Sequence, residues 1–130
     1  MFLSFIFSAK SNSANWIEIS SDGSSTYFID GSSIKRYPNK IVKLWIKTTY
    51  SNPQKIEYSQ KEYNALLNLV KYNCPDNLIM QLQTTMYFDL DVIDSETAKN
   101  PIYTDIIPDS MGDLIKEAVC YQASNRNKAN

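Results

Sequence analysis

Two thiols, Cys74 and Cys120, and a run of carboxylates, Asp89, Asp91, Asp94 and Glu96, are the side chains of this 130-residue chain whose types and spacing could do chemistry. A thiol nucleophile is activated by a neighbouring imidazole, and most zinc centres use one. The sequence has no histidine at all. The Asp-x-Asp spacing at Asp89 and Asp91 invites a calcium loop, but the glycine and the distal glutamate of an EF-hand are missing, so a solvated turn is the simpler account. Serine and lysine are plentiful, yet nothing marks a nucleophile elbow or an oxyanion loop. The three glycines, Gly23, Gly31 and Gly112, lie too far apart to cradle a phosphate. No catalytic residue, cofactor or metal ligand is therefore assigned, and the chain is expected not to be an enzyme.

What remains is a candidate for binding. Lys43, Trp45 and Lys47 alternate with Val42, Leu44 and Ile46, so a strand would place the lysines and the tryptophan together on one face. An exposed tryptophan flanked by positive charge suits an interface. The competing account is that the N-terminal strand or a helix covers Trp45, the lysines only keeping the face wet. The formal net charge of −1 leaves no electrostatic footprint for nucleic acid.

The two cysteines could be paired or be buried thiols. The N-terminus bears on the choice. Residues 1–9, Met-Phe-Leu-Ser-Phe-Ile-Phe-Ser-Ala, form a short apolar run ending in small residues, like the back half of a secretory signal without its positive leader. Cleavage after Ala9 or Ala14 would fit; a buried first strand is the alternative. Export to an oxidising compartment, the periplasm or the outer cell surface, is the expectation. No segment approaches the ~18 apolar residues of a membrane span.

The elements that must position these residues read mostly as strands, in keeping with nine tyrosines, five phenylalanines and two tryptophans. Trp16–Ile19 and Thr26–Asp30 flank turn chemistry around Gly23 and form a hairpin. Lys40–Tyr50 is the clearest strand, closed by Asn52-Pro53. Residues 59–73 carry both a helical spacing and an alternation; a strand over 67–74, entered through a helical turn, is the reading adopted. Leu78–Phe88 is a long strand with Leu78, Met80, Leu82 and Met86 on one face, followed by a turn at Asp89–Asp91 and a short Val92-Ile93 segment. Residues 94–105 read as a polar loop. A helix begins near Pro108, with Ser110 and Asp113 forming a capping box and Leu114, Ile115, Ala118 and Val119 a buried stripe. Strands followed by one helix make an α+β domain, an antiparallel sheet of about five to six strands. Residues 1–14 are expected to be a truncated signal or disordered leader, 15–124 the domain, and 125–130 a disordered tail.

The order of landmarks resembles the surface-adhesin protein E family of Gram-negative bacteria. The run starts at Trp16, passes through Tyr27-Phe-Ile-Asp30, Ser33-Ile34-Lys-Arg36, Val42-Lys-Leu-Trp45 and Tyr50, and reaches Cys74 at a strand end. It continues through the aromatic strand ending at Tyr87 to Ile107-Pro108-Asp-Ser110 and Cys120. It departs from that pattern at Asp89-Leu-Asp91, where relatives usually turn on a glycine, and at Tyr103, where a tryptophan is usual. The resemblance implies a helix packed on one face of the sheet, a disulfide from sheet to helix between Cys74 and Cys120, and a non-enzymatic surface adhesin with a host extracellular-matrix protein as partner. It assigns no binding residue. A periplasmic structural or inhibitory domain that binds a bacterial protein is the rival reading, and an unpaired edge strand would offer a route to a homodimer.

Overall fold

Aromatic and β-branched residues alternate through most of the chain, and they assemble into one antiparallel sheet. The computed structural model describes residues 13–129. Among them are eight strands: β1 (Trp16–Ser21), β2 (Ser25–Asp30), β3 (Lys35–Tyr37), β4 (Ile41–Lys55), β5 (Glu62–Asn73), β6 (Leu78–Phe88), β7 (Asp91–Thr97) and β8 (Tyr103–Asp105). A single helix, α1 (Met111–Ala129), follows them. The sheet runs in the order β1-β2-β4-β5-β6-β7, with β3 added beside β4 and β8 beside β6. Neighbours in this order are sequence neighbours apart from the short β3, so tight turns suffice. Gly23 supplies a positive φ of 90° in the first of these, and Asn39 and Lys40, both left-handed, turn β3 into β4.

The core lies on one face of the sheet. Val42, Leu44 and Ile46 of β4, with Val70 and Tyr72 of β5, meet Ile115, Val119 and Cys120 of α1. Val42, Leu44 and Tyr72 are wholly shielded from solvent, and burying each apolar side chain of this kind contributes about 1.5–3 kcal/mol. Three further ties pin the helix. The Tyr72 hydroxyl donates to the Gly112 carbonyl at 2.9 Å, Arg36 Nη1 donates to the Val119 carbonyl at 3.1 Å, and Cys74 is disulfide-bonded to Cys120 with a Cα–Cα distance of 5.8 Å. Burial, and secondarily the Asp113 carboxylate, push the Tyr72 phenol well above the ordinary tyrosine range. That hydroxyl stays a donor.

The antiparallel sheet, the C-terminal helix on one face and the bridge agree with the sequence reading; several details do not. The sheet has eight strands where five to six were expected, because β3 and β8 are three-residue additions to longer partners. The segment read as a helical turn leading into a strand at 67 is strand from Glu62 onward. Strand β4 does not stop at Pro53 but continues to Lys55. Its register with β5 shifts between Thr49 and Gln54, so the proline falls where the ladder asks for no N–H. Residues 94–105 are not one loop: they complete β7 and contain β8.

Nor do Leu78, Met80 and Met86 share a face. A bulge shifts the β5–β6 register so that Val70 faces Gln81 while Leu69 faces Gln83. That extra residue moves Leu78 and Met80 away from the helix side and leaves Met86 on it. In α1, Leu114 is 43% exposed, and Ile115, Val119 and Cys120 make the buried stripe. The helix also runs through the polar residues 125–129 read as a tail. Residues 1–12 of the expected leader lie outside the described residues.

Candidate binding face

Strand register places the sequence candidates. Residues 42, 44, 46 and 48 of β4 are buried and alternate with 43, 45, 47 and 49, which are partly exposed. Lys43, Trp45 and Lys47 are therefore together, on the sheet face turned away from α1. Among the described residues, strand β1 sits at the sheet edge beside β2 and α1 lies on the other face, so neither covers Trp45.

Register also brings in residues that the sequence reading passed over. Lys35 of β3 stands directly opposite Lys43, and Lys43 stands directly opposite Lys71 of β5. Three lysines thus form a row across three adjacent strands. Trp45 is opposite Leu69, and Lys47 is flanked by Phe28 and Leu67. The ammonium of Lys47 lies 4.6 Å from the Trp16 ring centroid and 5.2 Å from that of Phe28, and that of Lys71 is 5.6 Å from the Tyr37 ring. Such contacts hold the long side chains along the aromatic surface. The sequence signal for Lys71 was its alternation with Val70 and Tyr72. For Lys35 there was none, because only the pairing of β3 reveals its neighbour.

Among the described residues, no carboxylate pairs with Lys35, Lys43, Lys47 or Lys71; the ion pair found there is Lys116–Glu117 on the helix. Glu18 lies at the rim of the face, opposite Phe28 on the edge strand. Asp30, opposite Trp16, falls on the same face as Phe28 by register, but it is buried and its carboxylate is occupied by the backbone N–H groups of Asn15 and Ser32 and the Ser32 hydroxyl. The face is accordingly cationic around a centre of tryptophan and leucine.

The other constellations have structural occupations. Asp89 accepts from Asn64 Nδ2 at 3.1 Å and Asp94 from the Tyr58 hydroxyl at 2.9 Å, ties that fasten β5 and the β4–β5 loop to the turn and strand beyond β6. Among the described residues no group of three or more acids could hold a metal ion. An open groove of about 640 Å³ runs between α1 and the β1–β2 edge, lined by Ile17, Ile19, Ile29 and Ile34, where Arg36 is engaged by the helix.

The family model described as surface-adhesin protein E matches residues 16–121. Among solved structures, the chain is similar to protein E from non-typeable Haemophilus influenzae, with 15% identity and a TM-score of 0.60 over 85% of this chain and 78% of that one. It is also similar to a second Haemophilus influenzae protein E structure, with 16% identity and a TM-score of 0.60 over 86% of this chain and 89% of that one. At such identity the likeness speaks to the fold. No curated protein sequence matches the chain significantly.

Proposed function

The chain belongs to the surface-adhesin protein E family, and from that premise we propose that it is an exported, non-enzymatic adhesin whose Lys43, Trp45 and Lys47 face binds a host extracellular-matrix protein. The observation that carries this reading is a sheet face left uncovered by the described residues, where a partly exposed tryptophan stands among aromatic and aliphatic neighbours and lysines that no described carboxylate pairs. Interfaces draw their energy from such half-buried aromatic anchors. The disulfide supports an oxidising compartment. The absence of histidine disfavours general acid–base work. No helix among the described residues is long and apolar enough to cross a membrane.

The test is binding of the purified protein to immobilised laminin and vitronectin, repeated with Trp45→Ala. An anchor worth about 2 kcal/mol would weaken binding roughly thirtyfold, with the melting temperature unchanged. Cofractionation with the periplasm together with no affinity for either matrix protein would move the reading to the periplasmic alternative.

A further inference from the structure

The row Lys35–Lys43–Lys71 runs against the usual rule for sheets. Opposite charges stabilise directly facing positions and like charges destabilise them. Here two successive cross-strand pairs are lysine on lysine, with no carboxylate answering them among the described residues. A fourth cation, Lys47, is held beside the row by Trp16 and Phe28. Between these charges lie Trp45 and Leu69, both only partly buried. We infer that this face docks an acidic polypeptide segment, extended along β4, that presents an apolar side chain to Trp45 between two carboxylates facing Lys43 and Lys47.

The spacing sets the pattern. Lys43 and Lys47 are four residues apart on one strand, about 13 Å, and Trp45 is midway. An extended partner repeats its same-side residues every second position, so acidic-x-apolar-x-acidic matches the three side chains in order, with Lys35 and Lys71 adding charge on either flank. A second copy of this chain would set lysine against lysine. A sulfated polysaccharide could answer the charges but has no apolar group for the Trp45–Leu69 centre, and protein interfaces combine an apolar centre with a polar rim. This inference rests on the uncovered sheet face being the adhesive one, and it adds the chemistry of the partner.

The test uses the purified protein with three polyanions at equal salt: the acidic copolymer poly(Glu,Tyr), polyglutamate and heparin, followed by calorimetry and tryptophan fluorescence. The copolymer is expected to bind at least tenfold more tightly than either polyglutamate or heparin. The triple variant Lys35→Ala, Lys43→Ala, Lys71→Ala should lose at least tenfold in affinity for it. Its melting temperature should equal or exceed the parent's, since the repulsion is gone. The control Lys55→Ala, Lys61→Ala, Lys99→Ala removes the same charge from exposed positions elsewhere and should bind like the parent. Lys43→Gln alone gives a milder version if the triple variant folds poorly, with a smaller loss in the same direction. Equal losses in the triple variant and the control, or polyglutamate as good as the copolymer, would overturn the inference. Heparin as the tightest ligand would assign the row to sulfated polysaccharide and overturn it too. Matrix-protein adhesion that survives the triple variant refutes this inference and spares the adhesin reading. Copolymer binding as expected with no matrix-protein adhesion does the reverse.

Discussion

Asp30 ends β2 with its carboxylate inside the protein, only 6% exposed. It collects the Asn15 N–H at 2.8 Å, the Ser32 N–H at 3.0 Å and the Ser32 hydroxyl at 2.8 Å. Burial by itself would raise its pKa, but these donors outweigh it and hold the carboxyl below its ordinary 3.8. A carboxyl whose pKa is depressed on folding adds stability above its unfolded value and loses it as pH falls through the folded one. Asp30→Ala should therefore cost about 1–3 kcal/mol near neutral pH. In urea titrations the difference between variant and parent should shrink as pH drops from ~5 through 3.8 and below. A penalty independent of pH would count against the ionised carboxylate as the organiser of this corner. The sequence showed Asp30 as a landmark beside a turn. It could not show that the chain entering β1 closes over it, because the partners of a carboxylate come from the fold.

At the scale of elements, the sequence was readable wherever one face of a segment is wet and the other dry. Strand β4 alternates cleanly between buried 42, 44, 46 and 48 and partly exposed neighbours, and its period of two was plain. Strand β5 was obscured for a physical reason: Leu66 and Val70 on the helix side, with Leu67 and Leu69 on the other, make both faces apolar, and two apolar faces on a strand imitate a helical stripe. The feature that blurred the secondary structure is thus part of the candidate binding face. In β6 one bulged residue re-aimed Leu78 and Met80, a shift that no periodicity could announce. The start of α1 was legible because capping is local. The Asp113 N–H donates to Ser110 Oγ at 3.2 Å, while the Asp113 carboxylate accepts from the Asp109 N–H at 3.0 Å, one residue outside the expected box. Ser110→Ala should cost about 1 kcal/mol in denaturant unfolding, and Ser110→Asp should restore it. Indifference to both would mean that tertiary ties alone set this end of the helix.

At the scale of the whole molecule, one helix is held on a broad sheet whose other face no described element covers. Three fastenings converge on the first half of α1: the Tyr72 hydroxyl at Gly112, Arg36 at Val119 and the bridge at Cys120. The cysteines are 46 positions apart in sequence, and closing a loop of that length removes roughly 4 kcal/mol of chain entropy from the unfolded state. Set beside the ~5–15 kcal/mol of a typical domain, that is a large share. The protein should therefore melt roughly 10–20 °C lower when reduced, taking about 3–5 °C per kcal/mol for a domain of this size. Because the bridge acts through the unfolded chain, the Cys74→Ala, Cys120→Ala double variant should show the same fall without reductant and no further change when reductant is added. The lysine row lies on the opposite face and is built by strand pairing alone. The double variant, held below its melting point, should therefore keep the affinity of the parent for any ligand of that face. Loss of binding in a still-folded double variant would mean that the helix shapes the site through the sheet, and that the two faces are not independent.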